Sequence, residues 1–141
     1  SRNHADFGGG AVAATGAGTI ITMENCTLTH NDANVVGGAL SVTGGAISST
    51  SLCVITSNTL ILVDGDSRTR VGAGVWVNGT GSSFNASHTQ FANNVNPKPP
   101  SSGRDGGNGG AIAAVDGAGL VVVDCSVEHN SASSGQGGGI Y

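Results

Sequence analysis

The sequence is poor in charged and aromatic residues, and this shortage limits its partners. Of 141 residues, 10 % are charged and 4 % are aromatic, and 5 Lys and Arg stand against 9 Asp and Glu. A chain with so few basic residues lacks the cationic surface that neutralises a phosphate backbone, so we expect no nucleic-acid partner. The low charge also argues against intrinsic disorder, which is typical of chains with high net charge.

Long hydrophobic runs are also missing. The apolar segments 60–63 and 120–123 span four residues each, whereas a helix that crosses a bilayer needs about 20 apolar residues. We therefore expect no membrane insertion. The chain has neither a starting Met nor a signal-type segment, which predicts that it is processed or excised from a longer protein.

Glycine is abundant, and its positions reveal an internal repeat. The chain contains 25 Gly, which is unfavourable for a helical domain. A tetrad, in most copies Gly-Gly-small-aliphatic, starts at Gly9, Gly37, Gly72, Gly109 and Gly137. A second signature, in which an apolar residue follows after two positions and Asn after five, starts at Cys26, Cys53, Thr89 and Cys125. Two signatures that keep their phase predict a solenoid of similar layers.

Each repeat contains three short strand-like runs, which in the first repeat are 11–14, 19–23 and 26–30. A unit this small cannot bury an apolar face alone, but similar units stacked about 4.8 Å apart can. The chain is therefore predicted to be all-β: one segment, 1–141, of a parallel β-helix with about four complete coils and partial coils at both ends. Alternation along the second signature points Cys26 and Leu28 inward.

An Asn closes each second signature, at the point where the strand must turn. Asn tolerates the left-handed backbone conformation and bonds to its own backbone, and stacked side-chain amides form a ladder. The predicted ladder consists of Asn3, Asn31, Asn58, Asn94 and Asn130.

Neither end of the chain carries a polar cap of the kind that closes a soluble solenoid. Bare coil ends expose strand edges, which pair readily with another chain. We therefore expect either a segment of a longer β-helix or a subunit that stacks end to end.

The tetrads, together with the sequence Phe-Ala-Asn-Asn at 91–94, resemble the paired GGA[ILV] and FxxN repeats of chlamydial polymorphic outer-membrane proteins and similar surface proteins. The resemblance extends over nearly the whole chain. It implies a right-handed parallel β-helix at a cell surface, used for adhesion or as an extracellular fibre, and the right hand also agrees with the general crossover rule. The chain departs from the family pattern at Leu28, Ile55 and Val127, which replace Phe, and at 72–74, where Gly-Ala-Gly breaks the tetrad.

Three sequons for N-glycosylation begin at Asn25, Asn78 and Asn85, and none has Pro in the middle. Alternation turns Asn25 and Asn85 toward solvent. All three are candidate glycosylation sites if the source is eukaryotic, and plain surface amides otherwise.

Cys26, Cys53 and Cys125 share one position of the repeat. Cys26 and Cys53 lie on adjacent coils, at a spacing that permits a disulfide, yet stacked side chains run parallel and an odd count leaves one thiol over. A Cys26–Cys53 disulfide and buried thiols that act as small hydrophobes therefore both stay open. The chain has no CxxC and no His at zinc spacing, so we expect no metal site.

Two repeats are longer than the others, and both insert residues at the same corner, within 59–71 and 95–108. Loops on a rigid scaffold are common binding sites. These two hold four of the five basic residues, which form a candidate binding patch: Arg68, Arg70, Lys98 and Arg104. The patch fits an acidic polysaccharide, a surface receptor or a neighbouring subunit, and solvated turns with local ion pairs are the alternative.

An enzyme is the rival class, because β-helices also host polysaccharide lyases, hydrolases and epimerases. Such chemistry needs paired carboxylates or Ca²⁺-binding Asp clusters on one strand face. The nearest candidates, Asp64 and Asp66 with Arg68, lie in an inserted loop instead. We therefore predict a non-catalytic structural β-helix, extracellular or displayed on a cell surface, with no cofactor, and with a surface adhesin as the alternative.

Overall fold

The structure is a computed structural model that describes residues 2–61, 69–97, 107–133 and 135–141. These residues form strands, turns and connections, and the described ranges contain no helix of the length and apolarity that cross a bilayer. In chain order the strands are β1 (His4–Ala5), β2 (Val12–Thr15), β3 (Ile20–Glu24), β4 (Thr27–Thr29), β5 (Asp32–Ala33), β6 (Leu40–Thr43), β7 (Ile47–Ser51), β8 (Val54–Thr56), β9 (Thr59–Leu60), β10 (Val75–Asn78), β11 (Ser83–Ser87), β12 (Gln90–Ala92), β13 (Val95–Asn96), β14 (Ile112–Val115), β15 (Gly119–Val123), β16 (Ser126–Glu128) and β17 (Ser131–Ala132).

Every fourth strand of the chain belongs to the same sheet. The four sheets have the orders β1-β5-β9-β13-β17, β2-β6-β10-β14, β3-β7-β11-β15 and β4-β8-β12-β16. The strands pair in parallel, with equivalent residues side by side: Leu40 pairs with Val12 on one side and with Val75 on the other. The prediction of an all-β chain with parallel sheets is confirmed, and the arrangement is consistent with a β-helix or solenoid.

Each repeat has a fourth short strand, whereas the sequence predicts three strands. The additional strand is two residues long and follows the ladder Asn, as β5 and β9 do. Its residue types change between repeats, from Asp-Ala in β5 to Val-Asn in β13. No apolar periodicity therefore marks it in the sequence, and only its fixed place in the repeat aligns it with its neighbours.

The core lies between the sheets, and one of its columns follows the second signature. Leu28, Ile55, Phe91 and Val127 are in register across β4, β8, β12 and β16. Ile55 and Phe91 are fully buried, while Leu28 and Val127 are partly buried against the same core. Phe91 meets Phe84 edge to face, with ring centroids 6.3 Å apart, a favourable geometry for aromatic pairs.

The first Gly of each tetrad makes a turn that a residue with a side chain would strain. Gly37 has a φ of 55°, and a Cβ placed on it would lie 2.8 Å from the carbonyl carbon of Leu40 and nearer still to the carbonyl oxygen. The left-handed conformation alone costs other residues about 1–2 kcal/mol. The same positive φ recurs at Gly9, Gly72, Gly109 and Gly137.

Two further corners of each repeat place residues other than Gly in the left-handed conformation. The corner before the ladder Asn has φ between 52° and 56°, at His30, Ser57, Asn93 and His129. The prediction that the ladder Asn itself takes this conformation is therefore wrong. The preceding residue makes the turn, which leaves the Asn side chain directed into the stack.

Leu52 is the unusual residue of the other corner, where the equivalent residues are Asn25, His88 and Asp124. It has a φ of 54° and is 53 % exposed, so its apolar side chain gains little burial at a strained position. Because Asn tolerates this conformation better, Leu52→Asn is expected to raise the free energy of unfolding by about 1 kcal/mol. The reverse change at the equivalent corner, Asn25→Leu, should lower it by a similar amount. Urea denaturation measures both, and a destabilised Leu52→Asn variant would contradict the prediction.

Candidate functional site

The ladder residues stack as a column of hydrogen-bonded side-chain amides. Nδ2 of Asn58 donates to Oδ1 of Asn94 at 3.0 Å, and Nδ2 of Asn94 donates to Oδ1 of Asn130 at 2.9 Å. The same two oxygens accept the backbone N–H of the preceding ladder residue, at 3.1 and 3.0 Å. Nδ2 of Asn3 and of Asn31 continues the pattern, with bonds of 2.9 and 3.0 Å to the next ladder oxygen.

The amide of Asn94 bonds to the repeats on both sides of its own. Its second Nδ2 bond goes to the carbonyl oxygen of Ile55 at 3.0 Å, so two donor and two acceptor positions are filled. Asn94 is fully buried, and a buried polar group without a partner would cost about 1–3 kcal/mol. The side chain therefore joins neighbouring repeats, as the predicted ladder requires, and its bonds go to these repeats and not to its own backbone turn.

The three cysteines are free thiols in the structure, so the Cys26–Cys53 disulfide is not formed. The sulfur of Cys53 accepts the backbone N–H of Cys26 at 3.4 Å, and its thiol donates to the carbonyl oxygen of Ser51 at 3.2 Å. Cys125 accepts the N–H of Thr89 in the same way, at 3.4 Å. The sulfurs of Cys53 and Cys125 thus face the backbone of the preceding repeat, whereas the thiol of Cys26 donates to the carbonyl oxygen of Glu24 in its own repeat at 3.3 Å.

The three sequons differ in accessibility. Asn25 lies at an exposed corner, and Asn85 projects from the outer face of β11 with its side chain in solvent. Asn78 is half-buried at the end of β10, and its Oδ1 is buried without a hydrogen bond. Asn25 and Asn85 therefore have the more open surroundings.

Arg70, one of the four residues of the candidate binding patch, is buried. It is 3 % exposed, and its Nε donates to the carbonyl oxygens of Asn34 and Ile61, both at 3.1 Å. Its assignment to a surface patch is therefore wrong, because its guanidinium satisfies backbone carbonyls inside the fold. Arg68, Lys98 and Arg104 lie outside the described residues.

The bases of the two inserted loops are joined to each other. Nδ2 of Asn96 donates to the carbonyl oxygen of Arg70 at 3.1 Å and to that of Asn108 at 3.2 Å. Arg70 in turn holds Ile61 at the start of the first loop. Two buried side chains thus fix where both loops leave the stack.

The carboxylates considered for catalysis, Asp64 and Asp66, lie outside the described residues. Within the described part of the chain, no three His, Cys, Asp or Glu side chains gather in a way that could hold a metal ion.

A cluster that the sequence did not suggest surrounds Asp32 at the start of the stack. The Asp32 side chain is 4 % exposed, and its Oδ1 bonds to Nδ1 of His4 on the adjacent strand β1. Its Oδ2 accepts Nε of Arg2 at 3.3 Å, while the Arg2 side chain is 77 % exposed. Asp6, itself 99 % exposed, lies 3.5 Å from Nε2 of His4. One buried carboxylate thus bridges two cationic side chains.

The ion pairs of this cluster change the protonation of His4. The hydrogen bond to Asp32 is the main reason why the pKa of His4 is raised, the charges of Asp32 and Asp6 add to the effect, and desolvation opposes it. His4 therefore keeps its proton to a higher pH than a free His does.

A pocket of about 270 Å³ opens beside this cluster. It is lined by residues of polar type from the partial first coil and the two repeats that follow it: Arg2, His30, Asn31, Asp32, Ser57 and Thr59. The sequence carried one signal for the cluster. His4 and Asp32 each follow a ladder Asn, so the repeat already aligns them.

Comparison of the chain with protein-family models, with curated proteins and with solved structures finds no match.

Proposed function

We propose that this chain is a non-catalytic structural β-helix whose coils stack end to end, as part of a filament, stalk or surface layer. In this proposal the helix is right-handed, has about four complete coils with partial coils at both ends, and is extracellular or displayed on a cell surface. The resemblance to polymorphic outer-membrane proteins supports the surface location. The observation that carries the proposal is the amide ladder, in which each repeat satisfies groups of its neighbours.

The ends of the sheets support stacking. Strands β2, β3 and β4 lie at one end of their sheets, and β15 and β16 lie at the other. Beyond β14, the backbone of residues 139–141 already bonds to the strand and begins a further repeat. Parallel pairing throughout gives both ends the same register as the interior. Exposed strand edges pair readily with other strands. A further repeat of the same kind could thus pair with these edges in the register that its own strands require.

The test is the assembly state of the unmodified chain. Sedimentation velocity over a wide concentration range is expected to show association that grows with concentration and produces elongated particles. Asn130→Asp keeps the oxygen that accepts from Asn94 but removes the outermost amide donor, so this variant should associate less. Asn25→Asp, outside the ladder, is the matched control. A chain that stays monomeric at every concentration would overturn the proposal.

A surface adhesin is the second candidate, and the joined bases of the two loops favour it. Asn96, at the base of segment 95–108, bonds to the backbone of Arg70, at the base of segment 59–71, so the bases of the two segments lie side by side. Replacing 62–68 and 98–106 with Gly-Ser segments of equal length should then abolish saturable binding to an acidic polysaccharide while strand content is retained. Release of cleaved sugar by the unmodified chain would instead favour the polysaccharide lyase class.

A further inference from the structure

We infer that the pocket beside Asp32 binds the carboxylate or sulfate group of an acidic sugar, with Arg2 and His30 as its binding residues. This site is separate from the inserted loops. All of its lining residues belong to one chain.

Asp32 holds Arg2 in place through one of the N–H donors of its guanidinium. Its Nε bonds to Oδ2 of Asp32, whose side chain is nearly inaccessible, whereas the Arg2 side chain is 77 % exposed. A guanidinium has five N–H donors in a planar fork that matches carboxylate and sulfate oxygens. The contact with Asp32 therefore orients the fork and leaves other donors for a ligand at the pocket.

The balance of charge around the pocket depends on His4. Two negative groups face the cluster, Asp32 and Asp6, and Asp32 lies between His4 and Arg2. Protonated His4 offsets the Asp32 charge from β1, and Asp6 contacts His4 without lining the pocket. With His4 protonated, the two cations of the cluster balance its two carboxylates, and the exposed guanidinium of Arg2 is the charged group at the pocket that can meet an anion.

The remaining lining suits the hydroxyl groups of a sugar. Nδ1 of His30 is engaged by the hydroxyl of Thr29 at 2.8 Å, which leaves Nε2 for a ligand. Ser57 and Thr59 add hydroxyl groups on the neighbouring repeat. A volume of about 270 Å³ lies just below the range of drug-sized ligand pockets and limits the ligand to about one sugar ring.

The test is titration of the chain with glucuronate, with inorganic sulfate and with glucose, followed by the NMR signals of the His side chains. Glucuronate or sulfate should shift the signals of His30 and His4 saturably, and glucose should not. Arg2→Gln should weaken anion binding about tenfold or more, because it removes a charge-assisted hydrogen bond.

Two histidine variants provide a matched comparison. His30→Asn removes the pocket imidazole, and Asn already occupies the equivalent left-handed corner at position 93. His129→Asn makes the same change at the same corner of another repeat, away from the pocket. Binding should weaken in His30→Asn and stay unchanged in His129→Asn.

The affinity should also depend on pH in one direction. Because the pKa of His4 is raised, His4 is protonated and offsets the Asp32 charge at any pH below the ordinary His pKa. This offset is lost as the pH rises through the raised pKa. Anion affinity should therefore fall across that range, and His4→Gln should flatten the fall.

Equal binding of glucose and glucuronate, or unchanged binding in Arg2→Gln, would overturn the inference. A preference between glucuronate and sulfate would identify the ligand group.

Discussion

Replacing Asn94 with Asp is expected to lower the free energy of unfolding by about 4 kcal/mol at neutral pH. The amide is fully buried and donates to Oδ1 of Asn130 and to the carbonyl oxygen of Ile55. A carboxylate would bring an oxygen without a proton against these two acceptors and would place a negative charge in the stack. Protonation in acid would restore one donor, so the loss should shrink as the pH falls.

Asn93→Asp is the control for this change. Asn93 is the adjacent residue, but it is exposed at a left-handed corner, a conformation that Asp tolerates. Its substitution should change stability by less than about 0.5 kcal/mol. Chemical denaturation at several pH values compares the two variants. Equal losses in both would show that the amide ladder does not stabilise the stack.

Replacing Gly37 with Ala should be as damaging, with a loss of about 4 kcal/mol or failure to fold. The new Cβ would overlap the Leu40 carbonyl group and would lie 3.2 Å from Cβ of Ser41. Leu40 begins strand β6, which pairs on both sides, so the backbone cannot move away without disturbing three repeats.

Gly18→Ala separates this overlap from conformational strain. Gly18 has a φ of 85°, and a Cβ on it would meet no atom within 4 Å. The loss should therefore be about 1–2 kcal/mol, the cost of the left-handed conformation alone. Urea denaturation curves of the two variants give the comparison, and a Gly37→Ala variant as stable as Gly18→Ala would refute the steric account.

The repeat phase was enough to predict which residues align. Leu28, Ile55 and Phe91 occupy one position of the second signature, and in the structure they are paired strand to strand. This works because a stack of layers relates residues by position in the repeat rather than by long-range folding. The same rule aligns His4 with Asp32, although neither residue belongs to a signature.

Single-residue environments were harder to predict. Asn31 is a residue type that favours the left-handed turn, yet His30 makes the turn, because the Asn31 amide bonds within the ladder. Arg70 lies in an insertion rich in polar residues and has the composition of a solvated loop. It is buried because its side chain donates to the carbonyl oxygens of Asn34 and Ile61. These contacts cannot be recognised from the local sequence.

The ladder also has a direction. In each amide–amide bond of the ladder, the side-chain N–H points toward the repeat that follows, and the oxygen that accepts it faces the repeat that precedes. The amide dipoles therefore add along the axis, with the positive pole at the Asn130 end and the negative pole at the Asn3 end. Two copies that met through like poles would oppose donor to donor or acceptor to acceptor. A filament extended through this column would therefore have two chemically different ends, and all copies in it would point in the same direction along the axis.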